Sequence, residues 1–218
     1  MGSCGSVRHC WCTEDVMEPT VRLLTLAAPK GRWMVASLGK CQPQREDVPP
    51  RNSFSHFPSI CLSLMQLQYQ GSPFSDPGFS APELQLSSLP PAAVSFKIWH
   101  AMDDAERLRQ AQGAFLALTQ HLQLVGDDQS DLNPGTPILL AQLGAARLRA
   151  QGLLGNMAAI MTALGLSIPP EEDTLGLVPF GASAFERKCR GYIVTREYGH
   201  WTDRAVRDLA LLKAKYPA

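Results

Sequence analysis

The chain has 218 residues, 45% of them hydrophobic and 18% charged, with 20 acidic and 20 basic side chains that cancel to a net charge of zero. That length can bury one good core, and the missing basic surplus argues against a scaffold for nucleic acid. No apolar run approaches the roughly 18 residues needed to cross a bilayer, so no membrane insertion is expected.

Residues 1 to about 58 show neither a helical nor a strand period and are interrupted at Pro19, Pro29, Pro43, Pro49 and Pro50. Cys4, Cys10, Cys12, Cys41 and Cys61 lie in the first third, and Cys189 is alone in the rest. "CGSVRHCWC" lacks the paired C-x-x-C spacing of a zinc site. The remainder, with its single cysteine, must be held by packing. "VRLLTLAAPKGR" combines a basic residue with a short apolar core, but it follows acidic residues and lies too far into the chain to read as a secretory signal.

Three long segments with a 3.6-residue apolar repeat then follow. The first is predicted over 91–125, with Val94, Ile98, Met102, Ala105, Leu108, Phe115, Leu118 and Leu122 on one face and Gly126 as its left-handed stop. The second is predicted over 137–165, with Thr136 as N-cap and Pro137 at the first helical position. Its buried stripe is Leu139, Leu143, Ala146, Ala150, Leu153, Met157, Ile160 and Leu164, and Gly165 ends it. Gly144, Gly152 and Gly155 weaken this helix and are read as points of close helix approach, a partner on the glycine face being the alternative.

The third helix is predicted over 184–215 and opens on "SAFE", a capping box in which Ser183 and Glu186 satisfy each other's free N–H groups. Val194, Tyr198, Trp201, Ala205, Leu209 and Leu212 continue the stripe, and Lys213 and Lys215 suit the helix end. Arg204 and Asp208 are placed to pair on the face away from the core. The short link "GDDQSDLNPG" makes the first two helices antiparallel, whereas the link from Leu166 to Ala182 permits a long crossover, the mark of an up-up-down-down bundle. Such a bundle needs four helices. A short one at about Ile60 to Gln70 would supply only part of the fourth wall.

The motifs of nucleotide binding, zinc proteolysis and serine hydrolysis do not occur. His100 and Asp104 are one helical turn apart, which reads as a surface contact. "DDQSDLNPG" lacks the Gly and Glu of a calcium loop, and Cys189 reads as a packing thiol despite Lys188 and Arg190 beside it. No catalysis, metal or cofactor is expected. Phe185 and Lys188, one turn apart at the start of the last helix, stay open between a cover for the core and a surface for another protein.

"SAFERKCRGYIVTREYGHWTDRAVRDLALLKAKY" resembles the last helix of ciliary neurotrophic factor-type ligands, where F-x-x-K opens the helix and W-T-x-R-x-x-x-D-L lies near its end. "GSPFSDPGFSAPELQLSSLP", "WHAMDDAERLRQAQGAFLALTQHLQLV" and "LLGNMAAIMTALGL" extend the likeness over about 67–218. The resemblance is to the interleukin-6 group of helical cytokines. It implies an all-α, long-chain up-up-down-down four-helix bundle, here with the first helix missing or truncated. It further implies a secreted, monomeric, non-enzymatic ligand that assembles ciliary neurotrophic factor receptor alpha, leukaemia inhibitory factor receptor and glycoprotein 130 for JAK/STAT signalling.

By the same resemblance Phe185 and Lys188 match the pair that engages the leukaemia inhibitory factor receptor. Arg204 and Asp208, with Trp201 and Thr202 beside them, match the alpha-receptor positions, and "PFSDPGFSAPELQ" contributes to that face. The residues alone also admit an intracellular, non-enzymatic helical interaction protein with a cysteine-containing tail.

Residues 1–66 depart from the family pattern of a signal peptide and a long first helix, and are expected to be disordered. "FSHFPSICLSLMQ" uses residues whose codons can be almost wholly pyrimidine, and Met65–Gln66 permits a splice-acceptor ending. Intron read-through or an alternative first exon is the reading, an ordinary divergent tail the alternative. The consequence expected is poor secretion, lower stability and weakness at the glycoprotein 130 face, which the family builds from the first and third helices of the four.

Overall fold

The computed structural model describes residues 57–170, 173, 175 and 182–216, so expectations for residues 1–56 lie outside the described residues. Five helices follow in order: α1 (Phe57–Gln68), α2 (Phe96–Ala101), α3 (Asp104–Leu132), α4 (Pro137–Ala163) and α5 (Ala184–Lys215). Residues 57–66, expected to be disordered, are helical, and α1 has 12 described residues against 29, 27 and 32 for α3, α4 and α5.

The predicted helix over 91–125 is two helices, displaced towards the C-terminus. Met102 is extended (φ −67°, ψ 138°), and Asp103 caps a new start by accepting from the Glu106 N–H at 2.7 Å. An aspartate three residues before a glutamate favours a new N-terminus over an unbroken helix. Val94 and Ile98 are exposed, and Met102 and Ala105 are half-buried, so the buried stripe begins at Leu108. Gly126 does not end the helix; α3 runs on to Leu132 because Asp128 and Gln129 find buried partners on other elements.

α4 ends close to expectation. Gly165 takes φ +70°, its N–H reaches Thr162 O and the Leu166 N–H reaches Met161 O, the paired bonds of a Schellman stop. Thr136 holds the N-cap position but does not cap: its hydroxyl donates to Asn133 O at 2.7 Å. Helix α5 has the predicted bounds, and its capping box is complete, with Glu186 N–H to Ser183 Oγ at 3.2 Å and Ser183 N–H to Glu186 Oε2 at 2.7 Å.

Contacts at both ends fix the directions. Arg107 near the start of α3 meets Asp208 near the end of α5, and Asp128 near the end of α3 meets Arg190 near the start of α5. α3 and α5 are therefore antiparallel, as are α3 and α4 across the four-residue link 133–136. Gln70, just past α1, donates to Gln129 Oε1 at 3.0 Å, so α1 and α3 point the same way. The result is up-up-down-down. Around the ring α1 packs on α4 and α5, and α3 packs on α4 and α5, which leaves α1–α3 and α4–α5 as the diagonals.

The core is apolar and drawn from all four walls. It includes Leu62 of α1, Phe115, Leu118 and Leu122 of α3, Leu139, Leu143 and Met157 of α4, and Val194, Trp201 and Leu212 of α5. At about 25 cal/mol per Å², burial of such side chains dominates the stability of a bundle of this kind. A smaller cluster of Phe74, Ala81, Tyr192 and Ile193 sits where the loop after α1 crosses α5. The Gly144, Gly152 and Gly155 expectation fails among the described residues: a Cβ at each would meet nothing within 4 Å, so no described helix approaches there. No helix among the described residues is long and apolar enough to cross a membrane.

Candidate functional site

Two regions of α5 carry the residues singled out from the sequence, and they differ in kind. At its start the capping box fixes the first turn and leaves Phe185 60% exposed. The ring is not isolated. Its centroid lies 5.8 Å from that of Phe74, which is only 2% exposed; Phe74 stands 5.1 Å from Phe79, and Phe79 meets Tyr192 edge-on at 5.2 Å. Such tilted and T-shaped contacts suit the ring quadrupoles. Phe185 is the outer end of a chain of rings that runs into the fold. Lys188 is half-buried, and its Nζ donates to Gln70 O at 2.6 Å.

Behind this tip lies a buried polar layer. Arg190 forks onto Asp128, Nε to Oδ2 at 2.8 Å and Nη2 to Oδ1 at 3.2 Å. A bidentate pair of this sort fixes the register of α5 on α3. Gln66 fills the space above Gly191, where any Cβ would collide with its amide.

Towards the other end the predicted surface pair is not on the surface. Arg204 is 1% exposed and Asp208 3%, and Trp201 and Thr202 are also buried. The stretch 69–103 returns along α5 and covers them. Tyr192 Oη accepts from the Ala81 N–H at 3.1 Å, and Arg196 donates to Ala81 O at 2.9 Å and Leu84 O at 2.6 Å. Trp201 Nε1 donates to Pro90 O at 2.8 Å, Glu197 accepts from the Ala92 N–H at 3.2 Å, and Arg204 Nη1 donates to Ala92 O at 3.3 Å. Side chains of α5 thus satisfy the backbone of an irregular strap, whose polar groups would otherwise be costly to bury. Thr202 turns its hydroxyl to Tyr198 O at 2.7 Å.

Asp208 is the acceptor for two donors. Trp99 Nε1 reaches Oδ1 at 2.8 Å and Arg107 Nη1 the same atom at 3.0 Å, while Arg204 Nε stands 3.6 Å from Oδ2. Arg107 also donates to Trp99 O at 2.6 Å, and Arg204 Nη2 to Gln110 Oε1 at 2.6 Å. The pair predicted at i,i+4 is real, but it is an internal clasp holding α2 and α3 to α5.

Above the clasp, α2 is left bare. Phe96 is 74% exposed and Ile98 56%, next to Lys97 and His100. Phe96 stacks at 5.9 Å on Trp99, the ring tied to Asp208. The sequence reading missed this patch because it counted Ile98 as core. The cap signal at Asp103 and Glu106 was the available clue. A third surface is the outer side of α4, where Gly144, Leu148, Gln151, Gly152, Gly155 and Ala159 are exposed, with no acidic residue in the helix. A helix apolar on both sides is suited to burial against something further. Among the described residues no cluster of His, Cys, Asp and Glu fits a metal ion.

Comparison with known proteins finds relatives of the chain as a whole. The family model of plethodontid receptivity factor matches residues 55–218. Cardiotrophin-2 of Mus musculus is 92% identical over 152 residues, 70% of this chain and 74% of the relative. Cardiotrophin-2 of Pan troglodytes is 88% identical over 152 residues, 70% of this chain and 75% of that protein. Cardiotrophin-1 of Rattus norvegicus is 36% identical over 153 residues, 67% of this chain and 73% of its own length.

Proposed function

The chain belongs to the plethodontid receptivity factor family and, with the cardiotrophins, to the helical cytokines of the interleukin-6 group, and on that premise we propose that it is an extracellular ligand that brings three receptor chains together. As a cytokine ligand it is not an enzyme. The receptors proposed are ciliary neurotrophic factor receptor alpha, leukaemia inhibitory factor receptor and glycoprotein 130, whose assembly triggers JAK/STAT signalling.

The observation that carries the reading is Phe185, a large ring left 60% exposed on a rigid, capped helix end. Its inner side is backed by Phe74, and aromatic anchors on such a base are typical of interface hot spots. Phe185 and Lys188 form the face for the leukaemia inhibitory factor receptor. The alpha-receptor face is the α2 patch of Phe96 and Ile98, together with the strap. Trp201, Thr202, Arg204 and Asp208 shape that face from beneath. The α1 and α4 sides, with Leu64 exposed and the α4 glycines bare, are assigned to glycoprotein 130.

The test is binding of the full chain to each receptor ectodomain. Phe185→Ala is expected to weaken the leukaemia inhibitory factor receptor by about 30-fold or more and leave the alpha receptor unchanged. Phe96→Ser with Ile98→Ser should do the reverse. Equal binding of Phe185→Ala and the parent chain to the leukaemia inhibitory factor receptor would overturn the assignment.

A further inference from the structure

Lys188 stands where the resemblance places a receptor contact, yet its ammonium is engaged within the chain, donating to Gln70 O at 2.6 Å. That carbonyl lies just past the end of α1, where the last C=O groups have no intrahelical partner and the helix dipole favours a cation. A tight turn follows. The Ser75 N–H donates to Gly71 O at 3.1 Å, the Asp76 N–H to Pro73 O at 3.2 Å, and the Ser72 hydroxyl to Asp76 Oδ2 at 2.9 Å. Phe74 is carried inside this turn and backs Phe185 at 5.8 Å. The Gln70 side chain is paired with Gln129 of α3, and the Lys188 bond adds the anchor from α5 to the entry of the turn that supplies the second ring.

We propose that Lys188 is a positioning residue: it fixes the Gln70 carbonyl, seats Phe74 beneath Phe185, and so presents the receptor with a rigid aromatic ledge whose complement is an apolar pocket rather than an acid. The inference rests on the reading of Phe185 as a receptor contact, and it changes the role of its neighbour. An ammonium that paired with a receptor carboxylate would act by charge across the interface. One that holds a loop acts through the ring it seats, and its effect should disappear once that ring is gone.

The experiment uses the full chain carrying Lys188→Met, Lys188→Arg, Phe74→Leu or the Met/Leu double substitution, with Phe185→Ala as reference. Without any partner, the ring proton shifts of Phe74 and Phe185 should change in Lys188→Met and return close to the parent values in Lys188→Arg, which keeps charge and donors. Towards the leukaemia inhibitory factor receptor ectodomain, Lys188→Met and Phe74→Leu should each speed dissociation by about tenfold, and the double variant should be no faster than either. The salt dependence of association should not change.

Unchanged ring shifts in Lys188→Met, or additive losses with a shallower salt dependence, would overturn the proposal in favour of a direct ion pair. Should Phe185→Ala bind the receptor as the parent does, the receptor reading fails, and the partner-free spectra alone decide whether the clamp exists.

Discussion

The guanidinium of Arg204 lies over the indole of Trp201, 4.6 Å from its ring centroid, and the two donate to neighbouring carbonyls of one strap, Ala92 O and Pro90 O. Their stacking is a cation–π contact between buried partners. Asp208 completes the arrangement by receiving Trp99 from the far end of the same stretch and Arg107 from α3. The residues that looked most like a binding surface in the sequence are buried inside the fold.

Removing Asp208 should therefore be felt first as instability. Asp208→Ala leaves Arg107 and Arg204 buried without their shared carboxylate, and loss of one partner from such a pair costs about 3–5 kcal/mol. Arg204→Lys keeps the charge but not the fork that spans Ala92 O and Gln110 Oε1, and should cost about 1–3 kcal/mol. Urea unfolding measures both. A change below about 0.5 kcal/mol for Asp208→Ala, the level of an ordinary surface substitution, would contradict the clasp.

The glycines of α4 lead to the opposite expectation. Each lies inside a helix with open space where a Cβ would go. Gly144→Ala, Gly152→Ala and Gly155→Ala should each stabilise the fold by up to about 1 kcal/mol, because alanine loses less backbone freedom on folding. The triple variant should have a raised melting temperature and weaker association with glycoprotein 130. A more stable triple variant with unaltered association would remove the α4 face from the proposed assembly.

Acidification should loosen the strap through His121. Its ring is buried, Nε2 meets Ser88 Oγ at 3.0 Å, and burial, aided by the nearby Arg190 cation, pushes its pKa from 6.5 down to about 4. The folded chain thus holds the imidazole neutral while the unfolded chain protonates it near pH 6.5. Stability from this group is complete above that pH and falls as pH drops towards 4, by up to about 3 kcal/mol. His200 has the opposite slope: Glu197 raises its pKa, so its contribution is present below the unfolded value and lost as pH rises through the folded one. Unfolding curves of the parent and His121→Phe between pH 7 and 4 check the first effect; the variant should show the shallower decline, and parallel curves would exclude His121 as the source.

Much of the bundle is legible in the chain because its signals are local. The capping box at Ser183 and the glycine stop at Gly165 each act within one turn, and both ends fall where the spacing puts them. The buried stripe of α5 is legible for the same reason. The α3 boundaries are not, since Gly126 is a fair stop until Asp128 and Gln129 find Arg190 and Gln70 on other elements. Tertiary partners overrode a weak local preference. The site divides in the same way. Phe185, which spacing leaves open between a cover for the core and an outer surface, is 60% exposed with its ring backed by Phe74, whereas Arg204 and Asp208 read as a solvated i,i+4 pair because nothing in helical spacing announces a loop that will cover them. Periodicity assigns a face to a residue, and only the course of the intervening chain decides whether that face is open.

The division of labour along the strap has a consequence for change over time. Between Ala81 and Ala92 its course is held partly by its own peptide groups, gripped by Tyr192, Arg196, Glu197, Trp201 and Arg204, and partly by the inward side chains of Leu89 and Ala92, so the peptide grip does not read the side chains that face outward. Outward-pointing positions there can drift while the path stays the same. The gripping positions on α5 have no such licence, because each alteration loosens the whole ribbon at once.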